Sequence, residues 1–184
     1  MALAWTFGNL SPTDLPRISG CSSFNLMGGL GILTQSTYVE RTYSNLPSHT
    51  SVYLLISVFT IDDWQSSDFL TIQIDGAAVM TFYPQPYTAA YGSPICGDGL
   101  KADMITDLVG QWPHTAETIT IRVTASLFSP SASFGIYQIL LQFPTTSSGM
   151  TATLQCPGNQ CEYPPSYQCA LYSYFPSGGS ACAL

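Results

Sequence analysis

The chain has 184 residues and a net charge of −7, and only 8% of its residues are charged, against about 25% in an average soluble domain. Lys101, Arg17, Arg41 and Arg122 are the whole basic set, which cannot build a phosphate-neutralising patch, so nucleic acid and anionic membranes are excluded as partners. A hydrophobic fraction of 46% is enough to form a core, and the longest apolar run, Val52 to Phe59, has the length of a strand, so no membrane span is expected.

Strand signals dominate in chain order. Leu3 to Phe7 alternates and precedes a turn at Gly8-Asn9. Tyr38 to Tyr43 is a second, weaker run. Ser51 to Phe59 is nearly continuous in β-branched and aromatic residues, as a central strand requires. Phe69 to Ile74 alternates, and Asp75-Gly76 then supplies a hairpin turn into Ala78 to Phe82. Met104 to Val109 reads as a strand, with a helix over Leu100 to Val109 as its rival. Thr118 to Thr124 alternates cleanly, and Phe134 to Phe143 gives a long strand. These runs predict an all-β chain: a jelly-roll-like antiparallel β-sandwich of about eight strands over residues 1–144. A faint echo relates two halves, since Pro47-Ser48-His49 and Pro113-His114 each precede a strand that is followed by a Phe-led one.

After residue 144 the character changes. Thr145 to Gly149 reads as a linker, and residues 145–184 then form a short tail with four cysteines. Six cysteines in a polar chain with many Pro and Gly predict three disulfides and an extracellular location, secreted or at a cell surface. The simplest pairing joins Cys21 to Cys96 in the body and leaves Cys156, Cys161, Cys169 and Cys182 to form two bonds in the tail. The connectivity of those two is open. Zinc is the rival for the tail, but intervening lengths of four, seven and twelve residues fit no common knuckle.

Little points to catalysis. The chain has no G-x-S-x-G elbow, no H-E-x-x-H, no phosphate loop and no dinucleotide fingerprint, so the expectation is a non-enzyme. His49 and His114 lie just before strands, where histidines commonly hydrogen-bond the backbone. Asp62, Asp63, Asp68 and Asp75 are candidate Ca2+ ligands on neighbouring turns, and ordinary turn-capping aspartates are the alternative. Trp64, Trp112 and Tyr91 fall in predicted loops, where rings either stack on sugars or cover the ends of a sandwich.

Covalent glycans are expected at the sequon Asn9-Leu10-Ser11 and at Pro164, Pro165 and Ser166. Residues 1–8, with Leu3, Trp5 and Phe7 alternating, form a candidate donor strand. Added to a neighbour's sheet, it would give a head-to-tail homopolymer.

The order Cys21, Leu26-Met27-Gly28-Gly29, Pro47-Ser48-His49, Ile61-Asp62-Asp63-Trp64, Ile74-Asp75-Gly76, Cys96-Gly97, His114 and Phe134-Gly135-Ile136 resembles a β-sandwich domain repeated in large cysteine-rich surface proteins of ciliates and other protists. In those proteins short cysteine-rich repeats often follow, and the segment from Cys156 to Cys182 is similar to them. A looser similarity, in domain type and composition, is to subunits of glycosylated helical filaments from natural waters. Neither resemblance implies a catalytic residue. Together they imply a structural subunit of an extracellular filament or coat, with a carbohydrate- or ligand-binding surface module as the alternative.

Overall fold

The computed structural model describes residues 5–9, 18–84, 94–97, 99, 101–144 and, as backbone, 151–156. Among these residues there are eleven strands and no helix. They are β1 (Thr6–Gly8), β2 (Ile18–Cys21), β3 (Phe24–Leu33), β4 (Tyr38–Ser44), β5 (Ser51–Ile61), β6 (Phe69–Ile74), β7 (Ala77–Phe82), β8 (Met104–Pro113), β9 (Thr118–Ser126), β10 (Ser133–Pro144) and β11 (Thr151–Cys156).

Two antiparallel sheets result, one ordered β1-β4-β9-β6-β7 and the other β2-β3-β10-β5-β8, with β11 added to β10. From β3 to β10 the chain crosses between sheets at every connection except the β6–β7 hairpin, which is the double Greek key of a jelly roll. Seven of the eight expected strands appear as β4 to β10, the eighth, Leu3 to Phe7, overlaps β1, and β3 is a strand the sequence runs did not announce. β1, β2 and β11 lengthen the two four-stranded sheets of the jelly roll. The hydrogen-bonded framework therefore runs beyond residue 144 into the segment read as a tail. The stretch from Met104 is strand β8, and the rival helix does not form.

Alternation explains the packing. In β9, Ile119, Ile121, Val123 and Ala125 are buried while Thr120, Arg122 and Thr124 face outward. In β5, Val52, Leu54, Ile56 and Val58 enter the same core between the sheets. β3 departs from regular pairing: Phe134 lies opposite Leu33, but the next residue, Gly135, lies opposite Gly28. Gly28, Gly29 and Gly31 all have positive φ across this bulge, a conformation that L side chains avoid. At the β6–β7 hairpin, Asp75 and Gly76 both take positive φ, as a two-residue type I′ turn requires.

A second, smaller cluster lies on the outer face of the six-stranded sheet. Cys21, Leu26, Phe59 and Ile61 are buried there, with Phe24, Tyr137, Ile95 and Cys96 packed against them. The Cys21–Cys96 disulfide, closing 75 residues of sequence, ties the segment around Ile95 down over this patch. Replacing both cysteines with serine should lower stability by about 4 kcal/mol on the loop-entropy model, read as an earlier denaturant midpoint. An unchanged midpoint would mean that the noncovalent contacts alone hold the segment.

Candidate functional site on the outer face of the six-stranded sheet

The aspartates do not converge on one point. Asp62, Asp63 and Asp68 cluster where β5 leads into β6, whereas Asp75 sits at the far end of β6. Among the described residues, no group of three or more His, Cys, Asp or Glu is placed to hold a metal ion. Hydrogen bonds account for the carboxylates of Asp63, Asp68 and Asp75. Asp68 accepts from the main-chain N–H groups of Gln65 at 2.8 Å and Phe128 at 2.7 Å. Asp63 accepts from Lys101 Nζ at 2.7 Å and from the Ser129 hydroxyl at 3.0 Å. These two partners, Lys101 first, hold the Asp63 carboxyl below the usual carboxylate range. The stabilisation that results is present above the ordinary carboxylate pKa and is lost as pH falls through the lowered one. Both side chains are partly exposed, so it is worth no more than about 1 kcal/mol.

The strongest carboxylate contact comes from a residue outside the candidate ligand set. Asp103 is buried and accepts three main-chain N–H groups, those of Asp62 at 2.9 Å, Ile95 at 2.7 Å and Cys96 at 2.6 Å. It fixes the disulfide-bearing segment to the β5 exit. In the sequence it is marked only by its neighbours Asp98 and Asp107, which with it make a loose acidic stretch.

Other candidates separate by burial. Trp64 is 3% exposed and donates its indole N–H to the Ser133 carbonyl at 2.8 Å. It is therefore a core residue and not a loop-borne sugar platform, because its ring closes one end of the sandwich. Trp112 packs partly buried against the main core. Trp5 is buried against Tyr43, and β1 pairs with β4 of its own chain from Thr6 to Gly8. A strand donated from this end to a neighbour would leave both the Trp5 site and the β4 edge empty. Asn9 is exposed just after β1, and its side-chain amide donates to Ser36 O at 2.8 Å. Cys156 ends β11. Leu3, Tyr91, Cys161, Pro164, Pro165, Ser166, Cys169 and Cys182 lie outside the described residues.

The two outer faces are the remaining broad surfaces. That of the five-stranded sheet is rich in threonine, and Arg122 spans it, bonded to Glu40 at 2.6 Å and lying 4.2 Å over the Tyr38 ring. Its main charge and one of its rings are therefore already engaged.

The other face is different. Beyond the patch under Cys96, register sets Gln111, Tyr53 and Gln142 in one row across β8, β5 and β10. Val109, Leu55 and Leu140 form the next row, and Asp107, Ser57 and Gln138 the one after. Gln111 is held by a 2.8 Å hydrogen bond to Ser51, and Ser57 donates to Asp107 at 2.5 Å. Tyr53, Leu55, Leu140 and Gln142 are half-buried, and Gln111 and Val109 are exposed. The surface combines amides with a phenol and aliphatic groups, and carries one carboxylate that a hydroxyl already occupies. Nothing in the sequence marked it, because the face exists only once three distant strands are in register.

No family model matches the chain, and no curated protein matches it. Solved structures that share some of its shape include dimeric latent PorU from Porphyromonas gingivalis, at 10% identity and a TM-score of 0.48, covering 79% of this chain and 14% of that one. The C-terminal domain of EclA, a sugar-binding protein, is 12% identical, with a TM-score of 0.40 and coverage of 73% and 84%. A family 35 carbohydrate-binding module from an environmental isolate is 14% identical, with a TM-score of 0.40 and coverage of 76% and 84%. The chain spans only a small part of PorU. Among the described residues, no helix is long and apolar enough to cross a membrane.

Asp103→Asn replaces an acceptor-only group with one that turns an N–H toward three N–H donors. It should cost about 2 kcal/mol, measured by equilibrium denaturation. A cost near zero would show that the three contacts contribute nothing net.

Proposed function

We propose that the chain is an extracellular, non-catalytic binding module whose six-stranded sheet takes an uncharged glycan on its outer face. The observation that carries this reading is the row Gln111–Tyr53–Gln142 beside Val109–Leu55–Leu140. Strand spacing puts the two amides roughly 10 Å apart with the phenol between them. Each amide offers both a donor and an acceptor, which suits the adjacent hydroxyls of a sugar. The tyrosine ring and the aliphatic row offer apolar area to the C–H face of a pyranose. Among the described residues an acidic or phosphorylated ligand finds no cation on this face, since Arg122 and Arg41 belong to the opposite sheet and Lys101 is bound to Asp63.

Binding to an array of neutral oligosaccharides tests the reading. Tyr53→Ala should weaken the best binder by roughly tenfold, in line with about 1.5 kcal/mol for a lost ring contact. Gln111→Ala should weaken it less. An absence of binding, or full binding by Tyr53→Ala, contradicts the assignment.

A second reading, a subunit of an extracellular filament or coat, draws support from one edge. β8 is ten residues long, pairs among the described residues only with β5, and exposes Ile105 and Val109 without a lysine to guard them. If native material forms fibres by strand addition at this edge, Val109→Lys should disperse them in negative-stain images, and unaltered fibres would place the contact elsewhere. The glycans proposed for Asn9, Pro164, Pro165 and Ser166 would add to the polypeptide mass in either case, as would a bound Ca2+ ion in native mass measurement.

A further inference from the structure

The two histidines of the chain meet at the end of the sandwich opposite Trp64. His49 precedes β5 and His114 follows β8, so both come from the six-stranded sheet, while Asp75 reaches them from the β6–β7 turn of the other sheet. His49 Nδ1 lies 2.6 Å from the Pro47 carbonyl, His49 Nε2 lies 2.7 Å from His114 Nδ1, and His114 Nε2 lies 3.0 Å from an Asp75 oxygen. Both imidazoles are at least nine-tenths buried. The rings are within 9° of parallel, and Phe143 of β10 packs on His49 at 4.9 Å. Asp75 is the charged group that meets the pair. Its second oxygen accepts from Thr120 N of β9 at 2.7 Å. Glu117, on the turn after His114, is exposed and holds Leu46 through its carbonyl.

The contacts can be counted in protons. A carbonyl only accepts, so His49 Nδ1 must carry hydrogen. A carboxylate only accepts, so His114 Nε2 must carry hydrogen as well. The nitrogens between the rings need one hydrogen and one lone pair. Three protons on four nitrogens complete the chain, whereas two neutral imidazoles hold two and two imidazolium ions hold four. Two neutral rings leave one contact empty, and two cations set N–H against N–H at 2.7 Å.

We propose that the His49–His114 pair holds one shared proton against Asp75, making a pH-sensitive clamp between the two sheets. The count is the same whether the proton stays on the rings or is drawn toward the carboxylate. The sign of the pH dependence follows. In the unfolded chain each histidine titrates near a pKa of about 6.5, so the pair there binds close to two protons at low pH and none at high pH. Held as proposed, the folded pair keeps one proton while the unfolded pair goes from two to none. Above about pH 6.5 the folded state therefore holds more protons and loses stability as pH rises; below it the unfolded state holds more, and stability falls as pH falls. With no other histidine in the chain, this pair dominates the window from about pH 5 to 8.

Equilibrium unfolding across that window, with proton uptake measured in parallel, tests the clamp on the intact protein. The unfolding constant should be smallest near pH 6.5 and rise toward tenfold per pH unit on either side. Unfolding should release about one proton at pH 8 and take up about one at pH 5.5. A flat profile from pH 6.5 to 8 with no proton released would overturn the proposal. His49→Gln should abolish the maximum, and a variant that kept it would also overturn the proposal. If that variant does not fold, the proton count on the unaltered chain decides alone.

Discussion

Everything in this molecule depends on the seam between the two sheets, where the alternate residues of β5, β9 and β10 interdigitate. Strand alternation commits one side of each strand to that seam and leaves the other side for solvent or for a partner. Burial of the seam is what brings Gln111, Tyr53 and Gln142 into one row, because their inward neighbours are the core residues that set the register. The candidate glycan face is thus a consequence of the core and needs no dedicated loop.

The few charges make sense against this background. Asp103 gathers three backbone N–H groups, Asp68 gathers two, Asp63 engages Lys101, and Glu40 engages Arg122. Arg41 points into the sandwich over the Tyr43 ring at 4.6 Å. Asp103, Asp68 and Asp75 therefore connect backbone segments at the ends of the sandwich. Apart from Asp107, the described outer face of the six-stranded sheet beyond the Cys96 patch presents amides, hydroxyls and apolar groups. These charges are engaged: three aspartates tie segments together at one end of the sandwich, Glu40 and Arg122 pair across one outer face, and Asp107 is held by Ser57 on the other.

Much of this was legible in the sequence. The runs at Ser51, Phe69, Thr118 and Phe134 announce their strands because β-branched residues alternate over many positions, and Asp75-Gly76 announces its turn because both residues accept positive φ. The echo between Pro47-Ser48-His49 and Pro113-His114 has a structural counterpart. The two turns precede β5 and β9, the third strands of the two halves of the jelly roll, and their histidines meet. What sequence could not give were the effects of long-range register. Trp64 looked like a loop aromatic until Ser133 supplied its acceptor from 69 residues away. β3 was obscured by the glycines of its bulge, and β1 looked free to leave because its partner, β4, lies far along the chain. The aspartates read as a ligand set because proximity in sequence hid the length of β6 between Asp68 and Asp75.

Which face of the sandwich takes a glycan is open to direct measurement. Backbone amide chemical shifts, followed while a neutral oligosaccharide is titrated into the labelled protein, test it most directly. The expected shifts are confined to Tyr53, Leu55, Val109, Gln111, Leu140 and Gln142, with Thr71, Thr120 and Thr124 on the opposite sheet unmoved. Shifts centred on those threonines, or on the loops around Asp63 and Ser129, would contradict the assignment.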